Sequence, residues 1–136
     1  MMKHKALTEK IIGCAYRVYS TMGFGFLESV YEKCMLIELE KVGLKAQAQH
    51  PITVFYEGEI VGQFIADIIV EDSVIVELKS VRQLAVAHEV QLVNYLTATQ
   101  KDVGLLINFG ESRVEVKRKV RQLPKPPTQN QPGKTG

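Results

Sequence analysis

The sequence predicts a single mixed α/β domain, of the α+β type, in which helices flank a central mixed β-sheet. Three observations predict it. The chain has 136 residues, enough for one domain and too few for two ordinary ones. Apolar residues make up 46% of the chain and charged residues 24%, a balance typical of globular proteins. Helical and strand-like periodicities then follow one another in the order α-α-β-β-β-α-β-β.

Two helices open the predicted fold. The first is expected over residues 8–20, with Thr8 as its N-cap and apolar residues at helical spacing behind it. A glycine-rich break then precedes a second helix over residues 27–42. Gly43 is well placed to end this second helix, because glycine readily adopts the left-handed conformation that follows a helix C-terminus.

Residues 46–80 have the composition of strands joined by tight turns. We expect strands at Ile52–Tyr56, Ile60–Val70 and Val74–Ser80, connected into an antiparallel meander. The second and third strands are apolar on both faces, as at Ile65 and Ile68, so we predict them to be central strands.

The last third of the domain supplies a crossover helix and two more strands. The helix is predicted over residues 85–100, with five apolar side chains facing inward: Val86, Val90, Leu92, Val93 and Leu96. A helical crossover should place the buried strand Val103–Asn108 parallel to a strand of the meander. Arg113–Val120 alternates apolar and charged residues and is predicted as an edge strand. We assign residues 1–123 to the domain and the proline-rich residues 124–136 to a disordered tail.

Composition argues against several classes of protein. No apolar run approaches the roughly 18 residues of a membrane-spanning helix, and the N-terminus lacks the apolar stretch of a secretory signal. Cys14 and Cys34 lie among apolar residues without a CxxC motif. This pattern indicates buried, reduced thiols in the cytoplasm and argues against a disulfide, a zinc site or an iron–sulfur site.

Two acids lie within the strands that are apolar on both faces. Asp67 and Glu77 are equidistant from the turn near residue 72, so antiparallel pairing puts them nearly opposite each other, with Cβ atoms roughly 5 Å apart. Two neighbouring carboxylates repel, and a shared proton or a divalent cation resolves the conflict. Lys79 projects from the same face as Glu77. This set suits metal-assisted phosphodiester hydrolysis; a structural ion pair between Lys79 and one acid is the alternative.

Further polar residues fit the same site, and each has a structural alternative. Glu28 falls in the first turn of the second helix, where an acid also favours the helix dipole. His88, Gln91 and Tyr95 share one face of the crossover helix, which either is solvated or overlooks the acidic pair.

The C-terminal part of the chain is basic, although the net charge is only +2. The period of a strand places four basic residues on one face of the last strand and its extension: Arg113, Lys117, Lys119 and Arg121. They would either follow a nucleic-acid phosphate backbone or protect an exposed strand edge from aggregation.

The run Gly25-Phe26-Leu27-Glu28-Ser29-Val30-Tyr31 resembles the signature of the GxxExxY proteins, and residues 8–120 resemble that family as a whole. The family is placed in the PD-(D/E)xK nuclease superfamily, so the resemblance implies a restriction-endonuclease-like core. It matches Asp67 to the first acid and Glu77-Leu78-Lys79 to the (D/E)xK element. It also matches Glu28 to the helix glutamate of RecB-like nucleases and Gln91-Leu92-Val93-Asn94-Tyr95 to their QxxxY motif. Ala66 departs from the proline that usually precedes the first acid.

These observations together predict a metal-dependent nuclease that acts on DNA with Mg²⁺ or Mn²⁺. The metal ligands would be Asp67, Glu77, Glu28 and the Leu78 carbonyl. Lys79 would position the attacking water, and Gln91 would hold Lys79 or the phosphate. Three residues would support them: Tyr31, His88 and Tyr95. Two alternatives are a nucleic-acid-binding or interaction module without turnover and a small metal-dependent nucleotide phosphohydrolase. The expected substrate is DNA, with RNA as the alternative, and the expected assembly is a homodimer, with a monomer as the alternative.

Overall fold

A computed structural model describes residues 3–121 of the chain. Its elements follow one another as α1 (Lys5–Met22), α2 (Glu28–Lys41), β1 (Ala46–Tyr56), β2 (Glu59–Val70), β3 (Val74–Lys79), α3 (Val86–Thr99), β4 (Val103–Phe109) and β5 (Val114–Val120). This is the order that the sequence predicts. The predicted tail, residues 124–136, lies outside the described residues.

The five strands form one mixed sheet in the order β1-β2-β3-β4-β5. The first three strands pair antiparallel, β3 and β4 pair parallel, and β4 and β5 pair antiparallel. The helix α3 makes the crossover between the two parallel strands, as predicted. The strand β5 lies at one edge of the sheet, also as predicted, and β1 lies at the other.

Helices cover both faces of the sheet. One apolar core forms between α1, α2 and the sheet, with Met35 and Val76 among its members. A smaller core, which includes Ile75 and Leu92, forms between α3 and the opposite face. Because side chains alternate along a strand, β3 places Val76 toward α1 and α2, and Ile75 toward α3. The same alternation puts Glu77 on the α3 side.

The end of α2 agrees with the prediction from the sequence, whereas the start of α1 does not. Gly43 follows α2 with a positive φ of 81°, and its N–H donates to the Glu40 carbonyl over 2.9 Å, as expected for a glycine C-terminus. The prediction of Thr8 as an N-cap is wrong. The helix α1 begins at Lys5, and the Thr8 hydroxyl donates to the Lys5 carbonyl within the helix over 3.0 Å. Leu7 packs against the core, which favours the longer helix.

Three predicted core residues are exposed. The β1–β2 hairpin extends beyond β3, whose ladder with β2 reaches only to Ile68, so the outer part of β2, including Ile65, has no third strand beside it. On α3, Val86 is 74% exposed and Val90 is also exposed. That helix instead buries Tyr95 together with the predicted Leu92 and Leu96, because the sheet contacts the helix on the adjacent stripe.

Both cysteines lie among the described residues and are free thiols. Cys14 is buried in α1, as predicted, whereas Cys34 in α2 is only partly buried, so the prediction of a buried thiol is wrong at that position. No helix between residues 3 and 121 combines the length and the apolar character needed to span a membrane.

Candidate active site

Strands β2 and β3 part at the point where two acidic side chains meet. Their ladder pairs Ile68 with Val76, and the same register places Asp67 opposite Glu77, as predicted. There, Glu77 Oε2 accepts the Asp67 N–H over 2.9 Å, and Asp67 Oδ2 accepts the Leu78 N–H over 2.7 Å. Each carboxylate therefore takes the place of a main-chain carbonyl as the acceptor for an N–H of the opposite strand. The second oxygen of each accepts no hydrogen bond from another described residue.

The other side of β2 is also interrupted at Asp67. The ladder with β1 pairs Ala48 with Ile68 and His50 with Ala66, but Gln49 between them has a positive φ of 56° and does not pair. Ile68 packs into the core beneath α1 and α2, whereas Ala66, two residues earlier, packs into the core beneath α3. The strand therefore changes its buried face at Asp67, which leaves the Asp67 backbone free to bond to a side chain.

The environment of the two acids disfavours their negative charge. Glu77 is 6% exposed; burial, and then the charge of Asp67, raises its pKa from 4.5 to about 8. Burial likewise raises the pKa of Asp67, although the Leu78 N–H opposes that rise. The half-buried Asp67 and the buried Glu77, both with raised pKa values, form a site that a cation would stabilise in its ionised state.

Lys79, the last residue of β3, lies beside Asn108 of β4 in the parallel ladder. Asn108 is fully buried. Its Nδ2 donates to the Val81 carbonyl over 2.8 Å and to Glu115 Oε1 over 3.0 Å, and its Oδ1 accepts the Val81 N–H over 2.9 Å. Asn108 thus holds the chain that leaves β3 directly after Lys79. The sequence analysis missed this residue, although an asparagine inside an apolar strand was a usable signal.

Tyr31 fixes the loop that leads into α2. It is fully buried, and its ring stacks on Phe109 with the centroids 4.2 Å apart. Its hydroxyl donates to the Gly23 carbonyl and accepts the Phe26 N–H over 3.4 Å. Glu28 is the first residue of α2. The structure therefore makes Tyr31 an anchor for the loop that ends at Glu28.

Glu32 is a second acid on α2 that the sequence analysis missed. It lies one turn after Glu28, and its Oε1 accepts a hydrogen bond from Gln49 Nε2 over 2.7 Å. The charges of Glu32 and Glu28 both contribute to the raised pKa of Asp67, so α2 presents negative charge to the acidic pair. The i, i+4 spacing from Glu28 was the signal that could have identified Glu32.

On α3, one of the three predicted polar residues approaches the acids. The pKa of Tyr95 is raised by burial and then by the charges of Glu77 and Asp67, which indicates that its phenol lies near both. Gln91 is exposed one turn earlier and forms no hydrogen bond with another described residue. His88 Nδ1 accepts the Ala85 N–H over 3.1 Å, so it supports the start of the helix.

Residues 5–119 match the family model of the PD-(D/E)XK nuclease superfamily. The chain belongs to the PD-(D/E)XK nuclease superfamily. The crystal structure of SSO0001 has a similar fold, with a TM-score of 0.58 and 16% sequence identity over 90% of this chain. The match covers 61% of the SSO0001 chain, and at this identity it shows the fold alone. No curated protein matches this chain.

Membership of the PD-(D/E)XK superfamily agrees with the predicted restriction-endonuclease-like core. Nucleases of this superfamily generally use Mg²⁺ or Mn²⁺. Among residues 3–121, no three His, Cys, Asp or Glu side chains form a cluster that could hold a metal ion by themselves. The free oxygens of Asp67 and Glu77, with the adjacent Leu78 carbonyl, are nevertheless the hard donors that Mg²⁺ prefers, so the residues fit such an ion.

The four basic residues predicted to bind nucleic acid do not share one environment. Lys119 pairs with Glu89 on α3 over 3.0 Å, and Arg121 pairs with Asp102 over 3.0 Å. Arg113 and Lys117 are exposed, and neither forms an ion pair with another described residue. The ion pairs leave Arg113 and Lys117 as the better candidates for a phosphate contact.

Proposed function

We propose that this PD-(D/E)XK protein is a metal-dependent nuclease that hydrolyses phosphodiester bonds in DNA. The observation that supports this most strongly is the pair formed by the half-buried Asp67 and the buried Glu77. Each accepts a backbone N–H of the opposite strand, both have raised pKa values, and Lys79 lies two residues beyond Glu77. Lys79 forms no salt bridge with a described acid, which argues against the alternative of a structural ion pair.

The residues of the site divide the work of hydrolysis between them. Asp67, Glu77 and the Leu78 carbonyl would hold Mg²⁺ or Mn²⁺ directly. Glu28 at the start of α2 forms no three-acid cluster with them and would reach the cation through a water molecule. Bound there, the cation would supply Lewis acidity toward the phosphate and a bound water of lowered pKa. The Lys79 ammonium would orient the attacking water and neutralise the charge that develops on the phosphate. Gln91 remains the proposed contact to Lys79 or to the phosphate.

The structure also supports the functional importance of the loop before α2. Tyr31 and Glu28 are the last and the central residues that the GxxExxY signature specifies, and Tyr31 anchors the loop through the Gly23 carbonyl. We therefore propose that this chain is a GxxExxY protein in which Tyr31 positions Glu28. A binding module without turnover would have no need of Asp67 and Glu77, whose partial or full removal from water lowers stability.

An assay on several nucleic acids tests the proposal directly. Linear, circular and single-stranded DNA, and RNA, would be incubated with Mg²⁺ or Mn²⁺ and, separately, with EDTA. We expect cleavage only with the metal and expect Asp67→Asn to lower the rate by more than about 100-fold, because asparagine keeps the shape but loses the ligand charge.

The matched control is Asp72→Asn, since Asp72 lies in the exposed turn of the same hairpin and its side chain is 85% exposed. Circular dichroism would verify that both variants keep the fold. Cleavage by Asp67→Asn at the rate of the parent protein would show that the proposed residues are not the active site.

A further inference from the structure

An uncharged groove of about 1000 Å³ lies between the β1–β2 hairpin and α3. Its volume is at the upper end of the range for small-ligand pockets, about 300–1,000 Å³. None of the described side chains that line it is charged. Aromatic rings and side-chain amides are prominent in its lining: Phe55, Phe64, Tyr95, Gln91, Asn94 and Gln100.

The aromatic rings of the groove are accessible and close together. Phe55 is 61% exposed and Phe64 is 46% exposed, although both are large apolar side chains. The ring centroids of Phe64 and Tyr95 lie 5.8 Å apart, with the rings tilted by 39°. A folded chain of this size would ordinarily bury such rings, so their exposure beside a concave surface indicates a ligand.

The groove lies next to the proposed active site, with Tyr95 between them. This residue lines the groove and belongs to the same core as Ile75 of β3, on the side of the sheet toward which Glu77 also points. Phe64 precedes Asp67 by three residues on β2, so the strand that supplies the first acid also supplies a wall of the groove. A substrate whose phosphate reaches the acids would therefore extend its neighbouring groups along the groove.

We infer that this groove binds unpaired nucleobases, and that the substrate is consequently single-stranded nucleic acid or a single-stranded end. The inference rests on the proposed nuclease function. The proposed active site is charged and the groove beside it is uncharged. A nucleotide has the same arrangement, because its phosphodiester is charged and the attached base is neutral. Aromatic rings stack on the faces of bases, and amide side chains bond to their edges. A base inside a duplex presents neither a free face nor an unpaired edge to such a groove.

A binding experiment compares a short oligothymidylate with an abasic oligonucleotide of the same length, which keeps the phosphates and lacks the bases. Fluorescence anisotropy would be measured with Ca²⁺ in place of Mg²⁺, to allow binding without cleavage. We expect the oligothymidylate to bind at least about fivefold more tightly, because each stacked base contributes about that factor or more.

Two substitutions and one control locate this difference in the groove. Phe55→Ala and Phe64→Leu should each remove about fivefold of the affinity for oligothymidylate and leave the abasic affinity unchanged. Leucine retains apolar area but has no aromatic face, so Phe64→Leu separates base stacking from simple apolar docking. Tyr16→Ala on α1 is the control, since Tyr16 is a comparably exposed aromatic residue outside the groove. Equal affinity for both oligonucleotides, or dimerisation of the parent protein that Phe64→Leu abolishes, would overturn the inference.

A cleavage experiment separates the failure of this inference from the failure of the nuclease assignment. Single-stranded DNA and a blunt duplex of the same sequence would be cut by the parent protein and by Phe64→Leu. The inference predicts a preference for the single strand that Phe64→Leu reduces about fivefold or more. Metal-dependent cleavage with no such preference would overturn the groove inference alone. Absence of cleavage of every nucleic acid, with Mg²⁺ and with Mn²⁺, would refute the nuclease function itself.

Discussion

Replacing Glu77 by glutamine tests whether burial and mutual repulsion strain the acidic pair in the metal-free protein. The pKa of Glu77 rises from 4.5 to about 8, so the folded protein retains a proton that the unfolded chain releases between these values. By linkage, the free energy of unfolding falls as the pH rises through this window and levels off above it. The difference between 4.5 and about 8, at about 1.4 kcal/mol per unit, sets an upper limit of about 5 kcal/mol.

Glutamine is neutral at every pH, and its side-chain oxygen can still accept the Asp67 N–H. We therefore expect Glu77→Gln, in EDTA, to match the stability of the parent near about pH 5 and to exceed it by a few kcal/mol near about pH 8. Urea unfolding followed by circular dichroism at a series of pH values measures this difference. Glu59→Gln is the control, because Glu59 is exposed at the start of β2 and should leave the pH dependence unchanged.

Adding Mg²⁺ tests the same acidic pair through the opposite effect of pH on stability. Because a bound cation requires ionised carboxylates, Mg²⁺ should stabilise the parent more near about pH 8 than near about pH 6, and should stabilise Glu77→Gln much less. A parent stability in EDTA that is constant or rises between about pH 5 and pH 8 would contradict the raised pKa of Glu77. The same pH dependence in Glu77→Gln as in the parent would contradict it as well.

Two further predictions concern the neighbours of the site. Asn108→Leu leaves the Val81 N–H and carbonyl without their hydrogen-bond partner. It should lower the free energy of unfolding by about 2–4 kcal/mol and slow cleavage. An unchanged urea midpoint would show that Asn108 does not hold this segment. Lys117→Gln should make the slope of log K for DNA binding against log salt concentration shallower by about 0.9. Lys119→Gln should not change this slope, because Lys119 already pairs with Glu89. Equal effects of the two variants in a salt titration would refute this distinction.

The order of the elements and the position of the acidic pair could be predicted from local patterns. A tight turn sets the register of an antiparallel hairpin, so two residues equidistant from the turn must lie opposite each other. This geometric rule located Asp67 across from Glu77 without any knowledge of the rest of the chain. The crossover rule likewise predicted that β4 would lie parallel to a strand of the meander, here β3.

The tertiary structure decided which apolar side chains are covered and which polar side chains meet. Periodicity shows that one side of an element is apolar, but it does not show whether another element packs on that side. Val86 on α3 and Phe64 beside the groove are therefore exposed, although both lie in apolar patterns. Contacts such as Asn108 with Val81 join residues far apart in sequence. These contacts depend on the final packing of several elements, and no spacing within one element encodes them. Only the folded chain therefore shows that Asn108 holds the segment that follows Lys79.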